Sequence, residues 1–174
     1  MELETELPEG FEASYEDGVL EVSDGDNTVE KKMEHAMIEV ETNDSVTFST
    51  DSSKRNVQSI VKTFRSHLKN MIEGLENEHV YRLKGVYAHF PMTIKKQGDE
   101  LVVENFMGER NPRRADIMEG VDVQVDGEEI TVRGPDKDKV SQTAARIESL
   151  SKKGNRDPRT FQDGIYITEA EKHE

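Results

Sequence analysis

Cysteine is absent from this sequence of 174 residues, and only 33% of its residues are hydrophobic. The absence of cysteine excludes a disulfide framework, a cysteine-ligated zinc site and a thiol nucleophile. No stretch approaches the 18 apolar residues of a membrane span, and residues 1–7 lack the basic and apolar segments of a secretory signal. We therefore expect a soluble, cytoplasmic protein that does not bind a membrane.

The motifs of common enzymes are also missing. None of the five histidines belongs to an H-x-x-x-H or H-E-x-x-H pair, and neither a phosphate-binding glycine loop nor a nucleophile elbow occurs. Acidic pairs such as Glu128 with Glu129 are better explained as solvated surface, since 37 residues are acidic. We predict that the chain is not an enzyme, needs no cofactor and has no small-molecule substrate. A hydrolase built on His89 and nearby acids is the weakest alternative.

The formal net charge is −14, and all of it lies in the first third of the chain. Residues 1–53 contain 16 acids with Lys31 and Lys32 as their only bases, whereas residues 54–174 contain 21 acids and 21 bases. A high charge with few apolar residues favours disorder, but the regular apolar spacing described next argues against it. One hypothesis for the acidity is a salt-rich cytoplasm, where the Debye length falls to about 3 Å at 1 M.

Alternation of apolar and polar residues predicts pairs of short strands joined by turns. The predicted strands lie at 19–22, 37–40 and 46–48 in the first half, and at 101–103, 121–125 and 130–132 in the second. An amphipathic helix follows each second pair, with apolar residues at helical spacing from Val57 to Met71 and from Val140 to Leu150. Asp51 or Ser52 is the expected N-cap of the first helix, and Asp136 that of the second.

The two halves align with each other at offsets of 81 and 84 residues. The matching pairs are Leu20 with Leu101, Val22 with Val103, Val46 with Ile130 and Phe48 with Val132. We predict an α+β fold of two tandem similar domains, each a small, mostly antiparallel sheet packed on one helix. The domains are residues 1–78, strongly acidic, and residues 79–174, with basic loops and an extra C-terminal strand at 164–167. A single mixed domain is the alternative.

Two short stretches keep positive charge in this acidic chain. Residues 105–114 carry Arg110, Arg113 and Arg114 on a predicted loop, and residues 149–162 contain four bases and one acid. Guanidinium groups on loops can bind phosphates in pairs of hydrogen bonds, and a basic loop between a helix and a strand suits RNA. For the first stretch, a solvated connection that pairs with neighbouring acids explains the composition equally well. His89 lies in a crowded turn, where a packed histidine is the preferred interpretation.

The segment R-T-F-Q-D-G-I-Y-I at 159–167 resembles the C-terminal signature of the large-subunit ribosomal protein L6 family, in its archaeal and eukaryotic branch. In that signature an R-x-F-x-D-G pattern precedes an apolar strand. Segments 87–92, 104–114 and 134–145 also look like this family, in the same order. Residues 168–174 depart from it, because they are acidic where the family usually has a basic residue. The departure argues against RNA contact by the tail.

The resemblance implies a structural ribosomal protein without catalytic activity. It would bind large-subunit ribosomal RNA chiefly through its C-terminal domain, near the factor-binding region and the stalk base, beside neighbouring ribosomal proteins. The RNA-contacting residues it implies are Lys152, Lys153, Arg156 and Arg159, with Arg110, Arg113, Arg114 and His89 as weaker candidates. The acidic first domain would face solvent or protein. The alternative function is an acidic protein-interaction module that binds no RNA.

Overall fold

In the computed structural model, which describes residues 1–152, 154 and 162–170, the chain divides into two units, Met1–Glu78 and His79–Glu174. Each unit has its own cluster of buried apolar side chains. No helix among the described residues is both long and apolar enough to cross a membrane.

The first unit contains six strands and one helix. They are β1 (Glu2–Glu6), β2 (Glu12–Glu16), β3 (Val19–Ser23), β4 (Thr28–Lys32), β5 (Glu39–Thr42), β6 (Ser45–Ser49) and α1 (Arg55–Glu76). The strands form two antiparallel sheets, in the orders β1-β6-β5 and β2-β3-β4.

The second unit repeats this order and adds one strand. It contains β7 (His79–Val86), β8 (Thr93–Gln97), β9 (Glu100–Glu104), a 3-10 turn (Phe106–Gly108), β10 (Arg113–Asp116), β11 (Asp122–Asp126), β12 (Glu129–Gly134), α2 (Lys137–Leu150) and β13 (Gly164–Ala170). Its two antiparallel sheets have the orders β10-β9-β8 and β11-β12-β7-β13.

The strand orders establish the duplication. The sheet β1-β6-β5 corresponds to β7-β12-β11, and β2-β3-β4 corresponds to β8-β9-β10. The predicted α+β fold with an internal repeat is thus confirmed, with the addition that each unit has two sheets. In the first unit, all of whose residues are described, β1 lacks the outer neighbour that β13 provides for β7.

The helices bury the apolar faces that their sequences predict. Helix α1 buries Val57, Val61, Phe64, Leu68 and Met71, and the Phe64 ring lies 5.9 Å from that of Phe48 on β6. Helix α2 buries Val140, Ala144 and Ile147. Burying each large apolar side chain contributes about 1.5–3 kcal/mol, so packing against the sheets determines where the helices lie.

One of the two predicted helix caps is confirmed. The Asp136 carboxylate accepts hydrogen bonds from the backbone amides of Asp138 at 3.0 Å and Lys139 at 3.3 Å. The prediction for α1 is wrong, because the helix begins at Arg55 and its N-cap residue Lys54 makes no side-chain cap bond. The Ser52 hydroxyl instead accepts the Lys54 amide at 3.3 Å, which closes a turn before the helix.

The strand predicted at 37–40 begins two residues later, at Glu39. A turn occupies the preceding residues, since His35 accepts the Met37 amide on its Nδ1 and the Ile38 amide on its carbonyl, both at 3.1 Å. Those two amides are therefore unavailable to the sheet.

The outer face of the sheet β1-β6-β5 is strongly acidic. Glu2, Glu4 and Glu6 are exposed on β1, and Glu39 and Glu41 are exposed on β5. Serine and threonine of β6 separate the two rows, so glutamates of β1 and β5 that share a β6 partner lie roughly 10 Å apart. That separation is close to the Debye length at 0.1 M salt and well beyond it at 1 M.

We expect the free energy of unfolding to rise by on the order of 1 kcal/mol between 0.1 M and 2 M salt, because salt screens repulsion across this face. The double variant E2Q/E39Q, whose two sites both pair with Ser49, should be more stable than the parent chain in dilute buffer and less dependent on salt. Chemical denaturation at several salt concentrations measures both effects. Equal stability of the parent chain in dilute buffer and molar salt would contradict the salt hypothesis.

Candidate nucleic-acid interface

The structure brings together three of the segments that carry predicted RNA-binding residues. They are the loop 87–92 after β7, the loop 105–112 between β9 and β10, and the segment that starts at Lys152 after α2. Among the predicted residues, His89, Arg110, Arg114 and Lys152 are exposed and Arg113 is partly buried. Lys153, Arg156 and Arg159 lie outside the described residues. His89 is thus exposed rather than packed in its turn.

The loops 87–92 and 105–112 are joined directly. The Asn105 side-chain amide donates to the Pro91 carbonyl at 2.9 Å. The Phe90 ring lies over Gly108, where a Cβ atom would come within 3.2 Å of it. Because Gly108 has a φ of +77°, a side chain at this position would meet both backbone strain and the ring. Phe90 nevertheless stays 48% exposed, so part of its ring remains open to solvent.

Arg113 fastens the loop 105–112 to the end of α2. Its Nε and Nη2 atoms donate to the two carboxylate oxygens of Glu109 at 2.8 and 2.6 Å. Its Nη1 atom donates to the carbonyls of Leu150 and of Lys152, the latter at 2.9 Å. The guanidinium also lies 4.4 Å from the centroid of the Phe106 ring. Four hydrogen bonds and a cation–π contact within the protein therefore engage this guanidinium.

Arg114 and Arg110 differ from Arg113 in their surroundings. The prediction that Arg113 and Arg114 lie on a loop is wrong, because both belong to β10. Arg114 therefore points to the face opposite Arg113, as successive strand residues do. It donates to Glu100 at 3.0 Å in an ion pair whose two side chains are 48% and 39% exposed. Arg110 is exposed in the loop. Two arginines of residues 105–114, Arg113 and Arg114, therefore pair with the neighbouring acids Glu109 and Glu100. This agrees with the alternative given above, a connection that pairs with neighbouring acids.

A buried serine joins the end of α2 to the last strand. The Ser151 hydroxyl accepts the Ile165 amide at 2.9 Å and lies 2.9 Å from the Glu148 carbonyl, to which it donates. The Glu148 carboxylate accepts the Ile167 amide at 2.8 Å. Through these contacts, the segment that begins at Lys152 and the strand that follows it have fixed endpoints.

Further contacts hold the loop 87–92 in place. The buried Asp163 carboxylate accepts the Ala88 amide at 3.3 Å, which gives the aspartate of the family signature a structural role. Tyr87 interacts with Glu128 at the β11–β12 turn, and this hydrogen bond and the carboxylate charge raise the pKa of the Tyr87 phenol. The site is therefore a set of loops bonded to one another and to the ends of α2 and β13.

The chemistry available here is that of ionic binding. Over the described ranges, no group of three histidine, aspartate or glutamate side chains is placed to hold a metal ion. Lys152, Arg110 and Arg114 are exposed cations of this unit, and the Phe90 ring is half exposed. Cations of this kind bind phosphate groups, and an aromatic face can stack on an unpaired base.

Sequence reasoning missed several residues that shape this site. Ser151 and Glu148 connect α2 to β13, and Arg146 is exposed on α2 beside Arg114. The only available signal for Arg146 was its position on α2 away from the apolar stripe. A helical pattern does not show which strand passes alongside.

Comparison with known proteins gives the class of the molecule. A family model described as ribosomal protein L6 matches residues 90–164, which lie in the second unit. Several archaeal proteins of the large ribosomal subunit are similar over nearly the whole chain. Protein uL6 of Haloarcula marismortui is 40% identical over 167 residues, covering 95% of this chain and 94% of the relative.

Two further relatives give the same result. Large ribosomal subunit protein uL6 of Methanococcus vannielii is 40% identical, covering 95% of this chain and 92% of its own length. That of Natronomonas pharaonis is 38% identical, covering 97% and 96%. The chain belongs to the ribosomal protein L6 family, which confirms the resemblance found in its sequence. This family is structural and not enzymatic, so the prediction that the chain is not an enzyme is confirmed as well.

We expect Ser151→Ala to lower the free energy of unfolding by about 1–3 kcal/mol, because the buried Ile165 amide would lose its acceptor. Ser149→Ala, at an exposed position two residues earlier, should change stability by less than about 0.5 kcal/mol. Denaturant unfolding of both variants measures the difference. Equal stability of the two variants would show that the serine does not hold α2 to β13.

Proposed function

We propose that the chain is a structural constituent of the large ribosomal subunit and binds large-subunit ribosomal RNA mainly through its second unit, near the factor-binding region and the stalk base. Neighbouring large-subunit proteins are its other partners, and it works in the cytoplasm as part of the ribosome. Membership of the ribosomal protein L6 family supports the assignment to the large subunit. The observation that carries the RNA-binding role is the joining of three loops around Arg113, with exposed cations at their surface.

The rigidity of these loops supports an RNA-binding role. A loop that must be ordered on binding spends part of its interaction energy on that ordering. Here Asn105 holds the loop 87–92 and Arg113 holds the start of the basic segment before any ligand arrives. Lys152 and Arg110 can then meet phosphates at a defined surface, with Lys153, Arg156 and Arg159 continuing the charge along the chain.

Charge differences between the two units support the second as the RNA-binding one. On the outer sheet faces, pairing register places Arg82 and Lys84 of β7 where β1 has Glu4 and Glu6. The same fold positions thus carry acids in one unit and bases in the other. The acidic unit is the one suited to face solvent or basic proteins.

Reversal of the four bases tests the RNA site. In the variant K152E/K153E/R156E/R159E, affinity for large-subunit ribosomal RNA should fall at least tenfold. The slope of log affinity against log salt should also become shallower by up to about four, since each phosphate contact contributes about one. Filter binding at several salt concentrations measures both, and thermal unfolding verifies that the variant folds.

The matched control makes the same charge change in the first unit. The variant K54E/R55E/K62E/K69E reverses four exposed bases of residues 54–69, so its net charge equals that of the test variant. Its affinity should exceed that of the test variant by at least about fivefold. Equal losses would mean that overall charge, not this site, governs binding. Failure of the parent chain both to bind the RNA and to co-sediment with large subunits would favour a protein-interaction module instead.

Arg113 is expected to act by positioning Lys152 and not by touching RNA. Arg113→Lys cannot reproduce the fork that reaches Glu109 and two carbonyls, so it should lower the free energy of unfolding by roughly 1–3 kcal/mol. RNA affinity should fall while the salt slope stays as in the parent chain. Arg113→Gln, which removes the charge, should likewise leave the slope unchanged; a slope shallower by about one would show that the Arg113 guanidinium itself contacts phosphate.

A further inference from the structure

A groove of about 500 Å³ runs between β10 and the outer face of α2. Arg114 of β10 stands on one side and Arg146 of α2 on the other, with Gln142 and Ser149 beside Arg146. Two guanidinium groups from different elements thus line one concave surface. Of these two arginines, only Arg114 was among the RNA-binding residues predicted from the sequence.

The spacing of residues on α2 explains why Arg146 is in the groove. Residues 142, 145, 146 and 149 fall on one side of a helix, at intervals of three and four. All four are exposed, whereas Val140, Ala144 and Ile147 face the core. Ala145 lies between the two longer side chains Gln142 and Ser149 along this side, and its small size leaves the groove open.

The charges in the groove leave Arg146 available to an anion. Among the described residues, no hydrogen bond or ion pair engages the Arg146 guanidinium. Arg114 pairs with Glu100, but exposed pairs of this kind are worth only about 0–1 kcal/mol, so an incoming anion can replace the glutamate. Asp116 also lines the groove and opposes an anion. The lining therefore holds two cations against one carboxylate.

We infer that this groove binds a backbone phosphate of large-subunit ribosomal RNA between Arg114 and Arg146. The inference rests on the proposed function and adds a second contact surface to it. Guanidinium groups on opposite sides can each donate to a different oxygen of one tetrahedral phosphate. The groove also reaches Ser149 and Leu150, and the Leu150 and Lys152 carbonyls are both bonded to Arg113. An RNA strand lying in the groove would therefore continue directly toward the basic segment.

Single substitutions test this site on the full chain with large-subunit ribosomal RNA as the probe. Arg146→Gln and Arg114→Gln should each weaken binding roughly three- to tenfold and reduce the salt slope by about one. Lys137→Gln removes one exposed cation at the other end of α2, and it should change affinity less than twofold. The double variant R114Q/R146Q should lose less than the product of the two single losses, because both groups bind one phosphate.

Glu100→Gln supplies a test in the opposite direction. It releases Arg114, so it should tighten RNA binding more than Glu104→Gln, which removes an equal charge from the same strand but leaves Arg114 paired. If the parent chain binds RNA while both arginine variants match Lys137→Gln, the groove assignment is overturned and the proposed function stands. Normal RNA binding with loss of a neighbouring ribosomal protein would also overturn it, in favour of a protein contact. A parent chain without RNA binding would refute the proposed function itself.

Discussion

The hydrogen bonds at the C-terminal end of α2 are the constraint on which the second unit depends. The last carbonyls of a helix have no partners within it and carry partial negative charge. The Arg113 guanidinium supplies both hydrogen-bond donors and a positive charge at this end. It donates to the Leu150 and Lys152 carbonyls, while Glu109 balances its charge. Ser151 then joins the same end to β13. One arginine and one serine thereby connect the helix, the last strand and the loop 105–112, and the basic segment starts from a fixed point.

The two units show how one fold has acquired two surfaces. Buried positions correspond in type, with Val46 and Phe48 in one unit matching Ile130 and Val132 in the other. Exposed positions on the strands paired with these, β1 and β7, carry opposite charges, as Glu4 and Arg82 do. Packing requires the inward side chains to stay apolar, whereas an outward side chain changes charge at little cost in stability. Duplication therefore preserved the cores and left the outer faces free to diverge.

Periodic features could be predicted from the sequence, and contacts between distant residues could not. The helices, the hairpins β5–β6 and β11–β12 and the Asp136 cap depend on residues close in sequence, so local patterns identified them. The sequence predicts Arg113 as a phosphate ligand, because no neighbouring residue indicates that the distant Leu150 and Lys152 carbonyls are its acceptors. Arg146 gave no signal for the same reason, as its relation to Arg114 depends on how α2 packs beside β10. The wrong prediction of the α1 N-cap concerns residues close in sequence: Ser52 precedes the helix but closes a turn with Lys54 instead of capping it.

A protein with a formal net charge of −14 can bind RNA only if local contacts between its bases and the phosphates outweigh the repulsion due to its overall negative charge. At 1 M salt the Debye length is about 3 Å, so charges beyond the first contact shell neither attract nor repel the RNA appreciably. Under those conditions the acidic face of the first unit costs little. Salt also weakens each phosphate contact, so binding depends on several contacts made at once. Arginines held in a groove and on fixed loops suit that environment better than a diffuse basic field. The same reasoning explains how 37 acids are compatible with the RNA-binding surface proposed for the second unit.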